Sequence, residues 1–378
     1  MAIDFPASPA AGQIFNAAPG LSFVYKSGSG WQKAPLTTAL PKNYLINPSA
    51  VVSQQNGRGG SPAAAAYDWV TADMWVASWN ASGNLSAASY AGYGESAPMW
   101  MNAAAALPAF TGSMYAHFYQ QIEGQRFADF MWGTSLAQQV VFSFVTACDR
   151  AGVYSVKIGS RTVTPYRSWI GSFTINAAGA WEQKTIIIPG DTGTGTVYPT
   201  DNRAGLIISV GAAWGPNFNG ALGWQDGDLY SPPGMGNAWG AGTGYFQIVR
   251  PGLYLDPYKT GLPPAWTPPD YASELQRCQR YWYKAFGFQG GVASGTVVSR
   301  SGMRHPVPMR ASPVATIVGA PRLYDGAVTT TVTSLGVATN AYAAEYDITG
   351  GGTFATGGKA AAMYYQSEND YIAMNARW

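Results

Sequence analysis

The sequence predicts an all-β chain: a jelly-roll-like β-sandwich and a smaller C-terminal β module, joined by one amphipathic helix. Three observations carry this. Short alternating or apolar runs recur along the chain, separated by clusters of Gly, Pro, Asn and Asp. The 46 Gly and 25 Pro supply turns, and 14% aromatic residues favour strands. A sustained apolar period of three to four residues occurs only around 270–287.

A chain of 378 residues, 47% of them apolar, exceeds one comfortable domain. The expected division is an attachment segment at 1–42, the sandwich at 43–269, a linker helix at 270–287 and a β module at 288–378. Within 1–42, Leu21-Ser22-Phe23-Val24-Tyr25 alternates like a short strand and Gly28-Ser29-Gly30 turns the chain into Trp31-Gln32-Lys33. One hairpin is too small to hold a core, so copies of itself or a docking partner must cover it.

Asn43-Tyr44-Leu45-Ile46-Asn47-Pro48 opens the second region, and a polar loop leads to the aromatic and acidic run 67–75. Strands are then expected at 114–122, 140–148, 154–158, 168–176, 181–188, 206–210 and 245–250, the last partnered with 181–188. Between 211 and 243 lies a long loop rich in Trp and Gly. The helix is expected to start at Asp270, which follows two prolines and can cap the first amides. Leu275, Cys278, Trp282 and Ala285 would share its apolar face, and Arg277, Arg280 and Lys284 a solvated one. Gly287 would stop it. Tyr281, Trp282 and Tyr283 cannot all face one way, so they must touch more than one surface. Beyond it, strands are expected at 292–299, 315–319, 329–334, 341–349 and 360–373. No fixed period repeats, so no long fibre shaft is encoded.

Composition also excludes function classes. Charged residues make up 11%, against about 25% in an average soluble domain, which fits a surface that meets neighbours or sugars. A net charge of +2 makes no electrostatic case for nucleic acid. No apolar run approaches the roughly 20 residues of a membrane helix, so no membrane insertion is expected. The first residues lack the basic start and apolar core of a signal peptide, and a soluble chain not exported by that route is expected. Cys148 and Cys278 fit no metal spacing and read as buried thiols.

Two histidines leave few ways to build a Ser-His-Asp site. His117, in an alternating strand, and His305, before Pro306, both read as satisfied structural histidines. No phosphate loop or metal motif appears, so no cofactor and no metal is expected. Glycoside cleavage needs two carboxylates about 5–10 Å apart, and Asp226 and Asp228 are the nearest candidates. Acids in a Gly-rich loop are more often turn makers, and the twelve-residue calcium pattern is not met. Catalysis is therefore not expected. The same loop offers Trp214, Trp224, Tyr230 and Trp239 beside Asp226 and Asp228. Flat amphipathic rings with a few polar groups suit the C–H faces and hydroxyls of a sugar. Packing, with these rings plugging the sandwich or meeting another subunit, is the plainer alternative, and both readings stay open.

In order along the chain, these landmarks resemble a family of bacteriophage tail-fibre or receptor-binding virion proteins. They include Asp4-Phe5-Pro6, Gly12-Gln13-Ile14-Phe15, Asn43 to Ser49, Tyr67-Asp68-Trp69-Val70-Thr71-Ala72-Asp73-Met74-Trp75, Gln120-Gln121-Ile122-Glu123-Gly124 and Trp181 to Ile186. The run Glu274 to Trp282 is the most recognisable, followed by Pro306-Val307-Pro308-Met309-Arg310. The resemblance spans nearly the whole chain and implies a jelly-roll domain akin to carbohydrate-binding modules. It further implies a homotrimer in the virion, made in the host cytoplasm, held to other virion proteins through 1–42 and presenting its β modules to a host-surface glycan or receptor. The Trp-rich loop departs from the pattern, so its role does not carry over. The alternatives are an architectural collar, head-fibre or decoration protein and, less favoured, a polysaccharide depolymerase.

Overall fold

The structure is a computed structural model. It describes every residue except 1–4, 11–12, 19–20, 34–40, 62–66, 82–84, 108, 241, 286–290, 295–296, 325–327, 351–359 and 365–368. The described residues are almost entirely β, in two compact units. The first comprises Met1–Val51, Arg58–Thr71 and Trp75–Pro269; the second comprises Val52–Gly57, Ala72–Met74 and Asp270–Trp378.

The first unit begins with a three-stranded antiparallel sheet, β1 (Ile14–Ala18), β2 (Leu21–Lys26) and β3 (Gly30–Lys33). Register places Phe15 opposite Phe23 and Tyr25 opposite Trp31. Phe5 stacks on Trp31 at 5.2 Å and meets Phe23 edge-on at 4.9 Å, giving the small sheet an aromatic cover from its own chain.

The sandwich follows. Its strands are β4 (Tyr67–Ala72), β5 (Trp75–Trp79), β6 (Leu85–Ser89), β7 (Met99–Ala103), β8 (Tyr115–Glu123) and β9 (Val140–Cys148). They continue as β10 (Gly152–Ser160), β11 (Arg167–Ile175), β12 (Glu182–Ile188), β13 (Ala204–Trp214), β14 (Gly223–Asp226) and β15 (Gly244–Leu255). A four-residue helix, α1 (Gly124–Phe127), follows β8. One sheet has seven strands in the order β14-β11-β10-β13-β8-β5-β4, and the other has five in the order β12-β9-β15-β7-β6. Their facing surfaces meet through Phe118, Phe144, Tyr154, Phe173 and Phe246. This is the antiparallel jelly-roll class that the alternating runs predict.

Several expectations need correction. β12 and β15 do not pair with each other, since β9 lies between them. β15 runs through Pro251 to Leu255 where a stop was expected. A bulge between Val249 and Gly252, with Arg250 at φ +53°, sets two residues against Phe144 and lifts Pro251, which has no N–H, out of the ladder. β13 likewise extends to Trp214, so the loop expected from 211 begins four residues later.

In the second unit the helix is half its expected length. α2 (Tyr271–Gln279) is capped as expected: Asp270 accepts from Ser273 N at 2.9 Å. Residues 282–285 form β16 (Trp282–Ala285), antiparallel to the last strand, because an aromatic run holds a sheet register better than another helical turn. Trp282, Ala285 and Lys284 therefore leave the helix faces assigned to them. Gly287 lies outside the described residues. Arg277 pairs with Glu274 and Arg280 donates to the Pro308 carbonyl, while Lys284 lies over the Tyr371 ring at 4.6 Å. Tyr281, Trp282 and Tyr283 are all buried, against Trp378, Tyr371 and His305 respectively.

The remaining strands are β17 (Gly291–Ser294), β18 (Val297–Arg304), β19 (Val314–Val318), β20 (Arg322–Tyr324), β21 (Thr329–Thr339), β22 (Ala343–Gly350), β23 (Ala360–Tyr364) and β24 (Tyr371–Asn375). Thus 292–299 is a hairpin and 360–373 is two strands. Six of them close a barrel, β17-β18-β22-β21-β20-β23, and β16-β24-β19 form a separate sheet. Both share a core of Tyr283, Met309, Leu323, Ile348, Met363 and Met374.

Candidate functional site

The outer face of the seven-stranded sheet carries an aromatic cleft of about 230 Å³. Strand alternation builds its floor. On β8, Tyr115, His117 and Tyr119 point to this face, while Ala116 and Phe118 enter the core. On β13, Ser209 and Gly211 pair with Tyr119 and His117 and so share it. Alternation alone would send Trp214 inward. One extra residue between Gly211 and Ala213 reverses the pattern and sets Trp214 opposite Tyr115 on the cleft side. The indole lies against Gly211, where an added Cβ would sit 1.9 Å from Trp214 Nε1, so only glycine admits this placement. Trp214 Nε1 is buried with no hydrogen-bond partner among the described residues.

The segment after β13 folds back over this floor. A 3-10 turn, Pro216–Phe218, presents Phe218, and Tyr230 returns beside Trp214 with ring centres 4.5 Å apart. Phe218 meets Trp214 and Tyr230 edge-on at 5.3 and 5.6 Å. Asp68 of β4, Ser78 of β5, and Arg161 complete the lining with Asp228. Neither Asp68 nor Arg161 has a side-chain partner among the described residues.

Beneath the returning segment lies Lys157 of β10, its side chain 0% exposed. Its Nζ donates to Asp228 Oδ1 at 2.6 Å and sits 3.9 Å above the Tyr230 ring. Burial draws the Lys157 pKa down to about 8, against the opposing pull of Asp228. His117 Nδ1 lies 2.6 Å from Ser209 Oγ. Burial, then the positive charges of Lys157 and Arg161, pull its pKa down to about 3, so the ring is neutral at pH 7. Burial and Asp68 push the Tyr119 hydroxyl up to about 12, and burial likewise raises Tyr230. The cleft thus presents neutral rings and hydroxyls, with two free charges at its margin.

No family model matches the chain, and no curated protein matches it. Among solved structures it is similar to carbohydrate-binding modules. A CBM4 structure aligns at 16% identity over 45% of this chain and 78% of its own, with a TM-score of 0.24. The family 11 module from Clostridium thermocellum, in complex with a mixed-linked β-1,3-1,4 tetrasaccharide, aligns at 14% over 52% and 95%, with a TM-score of 0.27. TmCBM61, in complex with β-1,4-galactotriose, aligns at 13% over 57% and 99%, with a TM-score of 0.24. These TM-scores are low, and the site is read from its own geometry.

The six residues singled out in the sequence separate into three places. Trp214, Asp228 and Tyr230 converge in the cleft. Trp224 and Asp226 turn to the opposite side of the sheet edge, since β14 pairs Trp224 with the inward Trp169 and Asp226 with Arg167. There Trp224 Nε1 donates to the Pro189 carbonyl, and Arg167 bridges Asp226 and the buried Asp191. Trp239 is 0% exposed, donates to the Gly244 carbonyl and packs near Phe110. The packing alternative holds for Trp239 and Trp224, and Asp226 and Asp228 do not converge as a catalytic pair would.

Sequence reasoning missed Tyr115, Tyr119, Asp68 and Arg161, and took His117 as structural only. His117 is a satisfied sheet histidine and also a wall of the cleft. The available signal was the Tyr-x-His-x-Tyr alternation of 115–119, which puts three rings on one strand face. His305 fits its structural reading: Nδ1 meets the Tyr283 hydroxyl at 2.7 Å and Nε2 the Asn340 carbonyl at 3.0 Å. Both cysteines are free and buried.

Proposed function

We propose that this chain binds a host-surface glycan through the cleft on its seven-stranded sheet, without cleaving it. The observation that carries this is the gathering of Tyr115, Tyr119, Trp214 and Tyr230 around one cleft with polar groups at its margin. Sugar C–H faces stack on such rings, and hydroxyls reach Asp68, Arg161 and Ser78. At about 230 Å³ the cleft is smaller than the roughly 300–1,000 Å³ of sites for drug-sized ligands, so it suits one ring of a longer chain. The resemblance in landmark order supports a tail-fibre or receptor-binding virion protein, attached through 1–42 and assembled as a homotrimer.

A glycan array of host-derived polysaccharide fragments, probed with the full chain, tests this. Binding is expected, and Trp214→Ala should weaken it about 10-fold or more, since one stacked ring contributes on the order of 1.5 kcal/mol. A chain that binds none of these glycans would instead be an architectural virion component. A fall in capsule viscosity on mixing would point to a depolymerase.

A further inference from the structure

The opposite sheet carries a second pocket, of about 240 Å³, beneath a proline-rich strap that follows β15. Its floor belongs to the outer face of the five-stranded sheet. Ser143 of β9, Gln183 of β12 and Tyr254 of β15 all point there, by the register that sends Phe142 and Phe144 inward. Its wall is Pro263, Pro264 and Trp266.

Both ends of the strap are fixed. At one end Asp256 accepts from Thr260 N and Oγ, from Gly261 N and from Gln139 Nε2. At the other, Trp266 Nε1 donates to Glu95 Oε1 at 2.6 Å, and Arg250 reaches the same carboxylate at 2.7 Å. The β15 bulge is what permits this. Regular alternation would aim Arg250 into the core opposite Phe144, whereas its left-handed backbone swings it outward between the rings of Tyr93 and Trp266. Strain of this kind persists only where the surroundings enforce it.

The polar groups of the floor have bonding capacity to spare. Gln183 Nε2 donates to Ser143 Oγ at 2.6 Å, which leaves the Ser143 hydrogen and Gln183 Oε1 available. The Tyr254 hydroxyl has no partner among the described residues. The guanidinium of Arg250 is already balanced by Glu95, so the pocket offers no unpaired charge. Apolar proline and indole walls over a floor of hydroxyls and one amide match a neutral pyranose, in a shape set before the ligand arrives.

We propose that this pocket is a second carbohydrate site, taking one neutral sugar residue independently of the cleft on the other sheet. Two sites on one sandwich would let a polysaccharide engage both, raising avidity beyond either alone.

Saturation-transfer NMR of the full chain with glucose, galactose, mannose and N-acetylglucosamine tests it. Trp214→Ala disables the cleft, and at least one sugar should still receive saturation. Adding Tyr254→Phe or Gln183→Ala should then weaken that binding about 5- to 10-fold, the effect of one lost hydrogen bond. If Trp214→Ala does not fold, the same two pocket variants are read in the wild-type background. No binding to Trp214→Ala, or to the wild type where that serves, overturns the proposal, as does binding that neither pocket variant weakens. Binding lost through Trp214→Ala alone leaves the cleft reading intact. Binding lost only through the pocket variants overturns the cleft reading instead.

Discussion

At the scale of single residues, the cleft is held by groups whose protonation burial has moved. His117 takes up a proton near pH 6.5 when unfolded but only near pH 3 when folded. Between those values the unfolded chain binds more protons, so stability falls as pH drops below 6.5, by about 2 kcal/mol at pH 5. His117→Gln, which can still bond Ser209, should flatten that slope in denaturant titrations at pH 7.5 and pH 5. Equal slopes in the two proteins would exclude His117 as the source. Lys157 obeys a different rule. Removing its partner with Asp228→Asn strands a buried ammonium, yet with its pKa already near 8 that ammonium can shed its proton. The cost is therefore about 1–3 kcal/mol, below the ~3–5 kcal/mol of a broken buried pair, and adding Lys157→Met should recover most of it in the same titration.

Elements show where the sequence was legible. Alternation in 140–148 and 168–176 placed β9 and β11 within a residue, because strands buried in a sandwich must keep period two. The stretch 281–285 satisfies helical spacing and strand propensity together, and its pairing partner lies some ninety residues away (Trp282 opposite Asn375), so local reading could not decide it. Bulges were invisible for a sharper reason. One inserted residue in β13 reverses the facing of Trp214, and nothing in Gly211-Ala212-Ala213-Trp214 marks which residue is extra. The cleft was thus half legible: Trp214 and Tyr230 stood out by type, and the strand Tyr115–Glu123 that meets them looked ordinary. The strap is an element in its own right, closed by Asp256. Asp256→Ala leaves the Thr260 and Gly261 amides without their acceptor and should cost about 1–3 kcal/mol. Limited proteolysis should then cut within 257–269 well before the wild type is cut, and an unchanged pattern would show that the strap is held by other contacts.

At the scale of the whole molecule, the proposed homotrimer rests on the resemblance in landmark order and on the sparse charge of the chain. Light scattering at micromolar concentration should give about three times the 40.0 kDa chain mass, and a stable monomer would exclude it. The second unit carries a consequence of another kind. Its buried Asp73 accepts from Gln54 N at 2.9 Å and lies 4.0 Å from Arg377, which also bonds Gln55, 322 residues before it. The acid belongs to a β-hairpin tip read early, and its counter-charge arrives with the last strand. A contact of such sequence separation carries its loop-closure cost before it is rewarded. On synthesis the hairpin tip precedes its counter-charge, so Asp73 lacks this partner until residue 377 has been added.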